Sequence, residues 1–381
     1  MKRQIRIIAL ILSITLLTCG CKRVQTNEGN VLNTTINKTN QEENANQSKL
    51  DYLKPNAYGN VEGLTLEPGS TISVIGKYAG DSFWKEVEAG AKRAVEDMNS
   101  MLGYKGDQKI KLSYSAPNIH DHVDTQVSIL DEELDRYPVA IAIASVDSSA
   151  CFVQYDLAAE NGIPIVTFDS GSKYSDIESH IATDNEKAAQ TAAKELAALL
   201  DGQGEIALVV QDSYSMAAKD RENGFCDVIK EKYPQISIVD IYHMDKLEET
   251  AKAIAEEKEI SASSISHEDV IAYILEKNPN LKGIFATNQD TSQLVGNVLK
   301  AQKRSDLTFV GFDGGEKQLA LLENGIAAGL ILQNPYGMGY ATVIAAARSV
   351  LDLGNEAYVN SGYIWVTKEN MKEPDVAKML Y

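Results

Sequence analysis

Val139-Ala-Ile-Ala-Ile-Ala144 runs for six residues without a polar side chain, and Pro164-Ile-Val-Thr-Phe168 follows it after the stretch Ala150–Asn161 and Gly162. Strands apolar on both faces belong in a parallel sheet covered on both sides. The stretch between them has a helix's length and ends at a glycine suited to a helix terminus. This strand–helix–strand unit extends upstream through a strand at Thr71–Ile75, a helix at Phe83–Met101 ending near Gly103, a strand at Ile110–Tyr114 and a helix at His122–Arg136. Downstream the alternation restarts with a helix at Asn185–Leu200, a strand at Glu205–Val210, a helix at Ala217–Lys232 and a strand at Ile236–Tyr242. Helices at Leu247–Lys258 and Asp269–Lys277 come next, separated by the polar 261–264 stretch. Strands at Gly283–Ala286, Leu307–Gly311 and Gly329–Leu332 then alternate with helices at Thr291–Ala301 and Glu316–Leu322. A long helix over Tyr336–Leu353 and a strand at Tyr363–Val366 complete the pattern. Roughly ten strands exceed one comfortable sheet, so the predicted fold is α/β, with two doubly wound parallel-sheet lobes.

A chain of 381 residues with 44% hydrophobic and 24% charged side chains suits two soluble domains with full cores. Lys+Arg 36 against Asp+Glu 54 gives a net charge of −18. A field of that sign repels phosphate backbones and argues against nucleic-acid binding. It also resists lying flat on an anionic bilayer.

The first residues read differently. Lys2, Arg3 and Arg6 precede Ile7–Leu17, an apolar stretch of 11 residues, too short to span a bilayer but suited to a secretory signal. Thr18-Cys19-Gly20-Cys21 then resembles a bacterial lipoprotein signal, cut before a cysteine that carries lipid. Gly20 favours Cys21 as the lipidated residue; Cys19, after Leu16-Leu17-Thr18, is the second choice, and an ordinary secretory signal with incidental cysteines is the bland alternative. The expected organisation is a signal peptide over 1–20 and a flexible tether over 21–65, because residues 24–60 are rich in Asn, Gln, Thr and Ser with almost no large apolar residue. Of the remaining cysteines, Cys151 and Cys226 fall in separate lobes and read as small buried hydrophobes rather than a disulfide. No later segment approaches a membrane span, so a lipid is the only expected anchor.

Catalytic signatures are missing from the sequence: no phosphate-cradling glycine loop with lysine, no nucleophile elbow, no zinc-helix motif. His120-Asp121-His122 is the one dense group of metal-type ligands, and it reads as a solvated helix start with no third ligand. No cofactor or metal is expected. The strand ends are more informative. Gly80-Asp81-Ser82-Phe83-Trp84 puts two aromatic rings at a helix start. Neighbours on a helix point about 100° apart, so one ring can pack while the other faces a cleft. Such a ring suits the C–H face of a pyranose. Phe168-Asp169-Ser170-Gly171 and Gly311-Phe312-Asp313-Gly314-Gly315 each place a carboxylate at a strand end, where it can accept hydrogen bonds from hydroxyls or simply cap a helix.

At these residues the chain resembles the ribose/galactose type of periplasmic binding protein (type I), the sugar-binding subunits of bacterial ATP-driven (ABC) importers. The resemblance covers about 70–370 and is carried by Phe83–Ala91, Gly162–Asp169, Ser179–Asn185, Asp220–Phe225, Gly283–Asn288, Val310–Gly314 and Ile331–Pro335, in that order. It implies two lobes joined by a three-strand hinge: a first lobe of 66–183 completed by 334–362, and a second of 184–333 completed by 363–381. It further implies ligand contacts from Asp81, Phe83, Trp84 and Asp169 in the first lobe and Arg221, Asn288 and Asp313 in the second, with Gln333 at the hinge. The partners implied are a sugar-like small molecule and the permease subunits of an importer, at the outer face of the cell membrane.

Two departures bear on the ligand. Asp81 stands where ribose-like members carry Asn, and Ser170 stands where they carry Arg. A different sugar, a polyol, a furanose signal molecule or an amine-bearing ligand is compatible with that change. The segment from Tyr242 to Ile271 is also longer than usual and is expected to add a surface helix. Competing readings are a sensor subunit presenting ligand to a histidine kinase or chemoreceptor, and an enzyme on the same scaffold. A repressor sharing the fold needs a helix-turn-helix before the first strand, where this chain has a signal and a polar stretch.

Overall fold

The computed structural model describes residues 43–120 and 122–381. The expected signal peptide, Cys19, Cys21 and the front of the expected tether lie outside the described residues.

From Asn44 onward the chain forms one compact unit. Residues 44–50 are helical (α1). There follow β1 (Thr71–Ile75), α2 (Ser82–Leu102), β2 (Lys111–Ser115), α3 (Val123–Leu134), β3 (Ala140–Ile143), α4 (Phe152–Glu160), β4 (Ile165–Phe168) and β5 (His180–Ala182). The next stretch comprises α5 (Asn185–Leu199), β6 (Gly204–Val210), α6 (Met216–Lys232), β7 (Ile236–His243), α7 (Leu247–Lys258) and α8 (His267–Lys277). It continues through β8 (Leu281–Ala286), α9 (Gln289–Gln302), β9 (Thr308–Phe312), α10 (Glu316–Glu323) and β10 (Gly329–Gln333). Finally come α11 (Pro335–Val350), β11 (Tyr358–Asn360), β12 (Tyr363–Val366) and α12 (Pro374–Ala377).

Two six-stranded sheets result. The first has the order β11-β5-β4-β3-β1-β2 and is parallel throughout. The second has the order β12-β10-β9-β8-β6-β7 and is parallel except for β12, which runs antiparallel to β10. In each sheet the winding reverses beside the strand entered first, β1 or β6, and that reversal opens a crevice at the strands' carboxyl ends. The doubly wound two-lobe fold read from the sequence is the observed one. The chain passes between the sheets three times, after β5 at Thr183, after β10 at Asn334 and after β11 at Ser361–Gly362. Thr183 Oγ1 donates to Gln333 Oε1 (2.9 Å) and Asn334 Nδ2 to the Ser361 carbonyl (2.8 Å), so the crossings are bonded to one another.

Packing explains the pattern. Strands β3 and β4 are buried at every residue, as their unbroken apolar runs require. Helix α2 buries Phe83, Trp84, Val87, Gly90, Ala91, Ala94, Val95 and Met98 along one stripe. Its start is capped by the Asp81 carboxylate accepting from the Trp84 N–H (3.0 Å), and its end by Gly103 at φ 71°. Helix α11 lies so close against α2 that a β-carbon at Gly90 or Gly339 would sit 1.9 Å from a backbone oxygen of the other helix. After Tyr242 the chain forms α7 and α8, which bury Ala251, Ile254, Val270, Ile271 and Ile274 on the second sheet's core.

Three expectations are corrected. Residues 44–65 are not a free tether: Leu50, Leu53, Tyr58 and Leu64, with Leu66, are buried in the first lobe's core. These few apolar residues, widely spaced in a polar stretch, gain burial only from the tertiary groove they fill. Strands β5 and β11, three residues each, add to the expected elements; they are too short to show a period and pair with each other (Tyr358 with His180) only at long range. Cys151 is buried as expected, but Cys226 is only half-buried; both are free thiols. Among the described residues no helix is long and apolar enough to cross a membrane.

Candidate functional site

The carboxyl ends of both sheets face one cavity of about 60 Å³. All eight residues singled out from the sequence line it: Asp81, Phe83, Trp84, Asp169, Arg221, Asn288, Asp313 and Gln333. So do Lys77, His120, Gln211, Asp212, Gln289 and Asp290, which the sequence reading did not select.

The first wall grows from β1. Two residues beyond that strand Lys77 turns inward; its ammonium donates to Ser170 Oγ (2.7 Å) and stands 3.5 Å from Asp169 Oδ2. Asp81 uses one oxygen on the Trp84 N–H, so its second oxygen is open to the cavity. Burial pushes the Asp81 carboxyl up to about 6, against the pull of the Trp84 N–H and of His120. Phe83 and Trp84 are both nearly buried and both line the cavity, with ring centroids 5.1 Å apart and planes at 84°. The expected division, one ring packed and one exposed to the cleft, is thus not seen. Trp84 also meets Phe168 edge-on at 6.2 Å.

Asp169 and Asp313 hold equivalent places in the two lobes. Each follows an apolar strand, each has left-handed backbone (φ 55° and 70°), and each donates its N–H to the adjacent strand, to Ile181 O (2.9 Å) and Ile331 O (2.7 Å). A non-glycine residue in that region is strained, and such strain gathers where side-chain placement matters. Asp313 accepts from Gln333 Nε2 (2.7 Å) and from the Tyr381 hydroxyl (3.2 Å). Burial raises its pKa, and the Arg221 guanidinium opposes that shift.

Arg221, on the inward face of α6, donates from Nε to Asn185 Oδ1 (2.8 Å) and from Nη1 to the Thr287 carbonyl (2.7 Å). Its guanidinium lies 4.0 Å over the Phe312 ring. A guanidinium carries further N–H groups than these two bonds use, so the clamped fork can still donate into the cavity. Asn288 caps α9, its carbonyl oxygen taking the Thr291 N–H (2.9 Å), which leaves the amide NH₂ as donor. Gln333 is engaged at both ends, by Asp313 and by Thr183, and therefore positions Asp313 and joins it to the hinge. Asp212 is likewise engaged by the Tyr214 and Ser215 N–H groups and the Ser215 hydroxyl.

The lobes meet across the mouth. Ser82 Oγ donates to Gln289 Oε1 (3.3 Å), and His120 Nδ1 is 3.4 Å from Asp290 Oδ2 while its Nε2 is 4.0 Å from Asp81 Oδ2. The Tyr78 ring stacks on His120 at 3.6 Å. The sequence reading took the His120–His122 stretch as a solvated helix start. That holds for His122, whose Nδ1 caps α3 through the Thr125 N–H (3.2 Å), but His120 turns to the cleft. Among the described residues no group of His, Cys, Asp and Glu could hold a metal ion. The cavity thus joins fixed cationic donors, carboxylate acceptors and two rings between lobes that are connected by the bonded crossings and touch across the mouth.

That arrangement agrees with the comparisons. Residues 72–355 match the profile of the periplasmic binding protein domain. The chain belongs to the periplasmic binding protein family. Among its relatives, the D-allose-binding periplasmic protein of Escherichia coli (strain K12) is 24% identical over 299 residues, covering 76% of this chain and 88% of that protein. The ribose import binding protein of Bacillus subtilis (strain 168) is 22% identical over 295 residues, covering 77% and 84%. A carbohydrate transporter solute-binding protein of Agrobacterium radiobacter, solved in complex with D-arabinose, superposes with a TM-score of 0.69 at 29% identity, covering 82% of this chain and 99% of that one. An ABC transporter solute-binding protein of Agrobacterium vitis, with bound D-fucose, gives 0.69 at 25% identity, covering 82% and 100%.

Proposed function

We propose that this periplasmic binding protein is the solute-binding subunit of an ABC importer, capturing one monosaccharide or small polyol between its lobes outside the cytoplasmic membrane. The observation that carries the reading is the pair Phe83 and Trp84 set beside Asp81, Asp169, Asn288, Arg221 and Asp313 in one small cavity at the carboxyl ends of two sheets. Rings take the C–H faces of a sugar, and adjacent hydroxyls need acceptors and donors on their rims. The names of the relatives point the same way: allose, ribose, apiose and xylitol binders, and solved neighbours holding arabinose and fucose.

Each residue has a role in this reading. Asp81, Asp169 and Asp313 accept from hydroxyls; Arg221, Lys77 and Asn288 donate to ring and hydroxyl oxygens. Closure desolvates all of them together, and a ligand that leaves one unpaired is rejected. Opening at the three crossings releases the ligand to the permease. The basic and apolar start of the chain, followed by Thr18-Cys19-Gly20-Cys21, supports export and lipid anchoring at Cys21.

Thermal unfolding of the refolded, ligand-stripped protein against pentoses, hexoses, polyols and nucleosides tests the function. Ligand at about a hundred times its dissociation constant adds roughly 2.7 kcal/mol, a visible rise in Tm. A sugar or polyol that raises Tm in the wild type but not in Asp313→Ala is the expected result; silence across the panel overturns the ligand class. Labelling with an alkyne fatty acid tests the anchor: Cys21→Ser should abolish it, and persistent label would assign Cys19 instead.

A further inference from the structure

The segment 44–66, which composition alone reads as linker, is fixed to the first lobe and reaches over the hinge. Its fixation is conventional packing: Leu50, Leu53, Tyr58, Leu64 and Leu66 enter the first core, and the Lys49 ammonium pairs with Glu86 of α2 (2.9 Å) while lying 5.4 Å over the Tyr336 ring. Its contacts with the crossings are different in kind. The Asn334 side-chain amide, at the second crossing, donates both to the Lys49 carbonyl (2.7 Å) and to the Ser361 carbonyl (2.8 Å). One NH₂ group therefore holds the segment, the second crossing and the third crossing together. Lys54 and Asn360 exchange both backbone bonds, N–H to carbonyl in each direction at 3.0 Å, at the last residue before the third crossing. Gly362, in that crossing at φ 85°, has Tyr52 against it: a β-carbon there would meet Tyr52 Cβ at 3.0 Å. Beyond Gly362 lies Tyr363, the first residue of β12 in the second lobe, and it lines one groove with Asp51, Tyr52 and Lys54.

We infer that residues 44–66 are a hinge brace, a strap anchored on the first lobe that limits the excursion of the second and third crossings and so sets the balance between open and closed lobes. Rotation of the second lobe must change the backbone at Asn334 and at Ser361–Gly362, since these are where the chain passes between sheets. A rotation that separates those two crossings stretches one of the two Asn334 bonds. A rotation that swings Tyr363 towards the first lobe closes the groove against Tyr52. The strap resists both, and it acts without touching the ligand cavity.

The test needs no ligand, so its failure is separate from any failure of the sugar-binding reading. Spin labels are attached through ketone-bearing residues incorporated at Asp124 in the first lobe and Lys317 in the second, both exposed, in the full-length protein. Interlobe distances are then measured by double electron–electron resonance. Tyr52→Ala, which removes the side chain packed against Gly362, and Asn334→Asp, which keeps the cap on the Gly337 N–H but removes the amide donor to Lys49 and Ser361, each loosen the strap's hold on the hinge. Each should broaden the distribution and add a population outside the wild-type range, with far-UV circular dichroism unchanged. Tyr58→Phe is the control. It removes hydrogen bonds to Asn355 and Glu356 that fix the strap away from the crossings, so it should lower Tm and leave the distances alone. Wild-type distances in both Tyr52→Ala and Asn334→Asp alongside lowered Tm would make the segment a stabilising flap and overturn the brace. Equal broadening in Tyr58→Phe would overturn it as well, because the effect would then not depend on contact with the hinge.

Discussion

The Lys77 ammonium lies 3.5 Å from Asp169 Oδ2, and each of the two side chains is 9% exposed. This pair answers the question raised by Ser170. Ribose-like members carry an arginine at that position; here the cation arrives from the end of β1 instead and is held by Ser170 Oγ at 2.7 Å. A cation therefore stands beside Asp169 without an arginine at position 170. Lys77→Met leaves the Asp169 carboxylate buried without its counter-charge, a change on the scale of 3–5 kcal/mol, roughly, for a desolvated pair. Urea unfolding should show a large fall in stability, and titration calorimetry with the panel's best ligand at least a tenfold loss of affinity. Lys77→Arg should retain most of the stability. Equal stability in Lys77→Met would mean the pair is not desolvated in solution.

Asp81 makes stability depend on pH in an unusual direction. Its folded pKa of about 6 lies above the ordinary 3.8, chiefly through burial. Above pH 6 the carboxylate is charged in both folded and unfolded chains, and burial penalises the folded one. As pH falls through 6 towards 3.8 the folded protein takes the proton first, so this group's contribution to stability rises. His180, half-buried in β5, acts oppositely. Burial pulls its pKa down to about 4, so below pH 6.5 the unfolded chain takes that proton first and stability is lost as pH falls towards 4. The wild-type curve sums these two with other shifted groups, among them Asp220, Asp240, His243 and His267. Asp81→Asn isolates one, because asparagine keeps the cap on the Trp84 N–H while removing the charge. It should stabilise the ligand-free protein by roughly 1–3 kcal/mol at pH 7.5, with the gain shrinking to nothing near pH 4. A difference that is constant across that range would exclude ionisation as its cause.

What the sequence made legible follows from how far each signal reaches along the chain. Unbroken apolar runs such as Val139–Ala144 and the stripe of α2 are local, so the two-lobe fold could be read from them, with element ends off by up to three residues, as at the end of α11. The same locality explains why β5 and β11 escaped: three residues hold no periodicity, and each exists because the other lies beside it. Among the lining residues, those inside strand-end motifs were legible, whereas Lys77 and Asp290 were not. A lysine after a strand reads as solvated, and only the meeting of β1 with the β4 loop shows that it is buried. The 44–65 segment was misread for a related reason. Its few apolar residues cannot form a core alone, and the groove they fill is built by α2 and α11.

Helix contact sets a limit on the first lobe that composition does not show. Gly339→Ala places a methyl 1.9 Å from the Val87 carbonyl oxygen, a backbone atom that cannot rotate away. The two helices must separate, opening contacts along the whole α2–α11 interface. The expected loss is about 3 kcal/mol or more, the upper range for core overpacking. Gly354→Ala serves as comparison: it has nothing within 4 Å of the added carbon and only its positive φ of 69° opposes the change. A thermal scan in which Gly339→Ala loses no more than Gly354→Ala would show that the interface is looser than described.

Trp84 offers an optical readout of the cavity. The chain has two tryptophans. Trp84 lines the cavity, whereas Trp365 packs over Gly329 in β10 of the second lobe, where a β-carbon would meet its ring at 2.0 Å. Ligand that displaces water from the Trp84 ring should shift its emission. Trp365→Phe should preserve that response, and Trp84→Phe should remove it while calorimetry still reports binding. A response that follows Trp365 would place the conformational change in the second lobe rather than at the rings.

Arg221 separates grip from scaffold in the second wall. Its bonds to Asn185 and Thr287 and its seat on Phe312 fix the guanidinium before any ligand arrives, so little ordering remains to be done on binding. Arg221→Ala removes a charged donor and leaves the Thr287 carbonyl without its 2.7 Å partner. Affinity should fall by roughly 1.5–3 kcal/mol, the range of charge-assisted hydrogen bonds. Arg221→Lys keeps the charge but cannot span Asn185, Thr287 and the ligand at once, so it should recover stability more fully than affinity. Titration calorimetry measures the affinity, and urea unfolding without ligand measures the scaffold. Equal recovery of both in Arg221→Lys would reduce the residue to a buried counter-charge for Asp313, and loss of stability with unchanged affinity in Arg221→Ala would remove it from the ligand site.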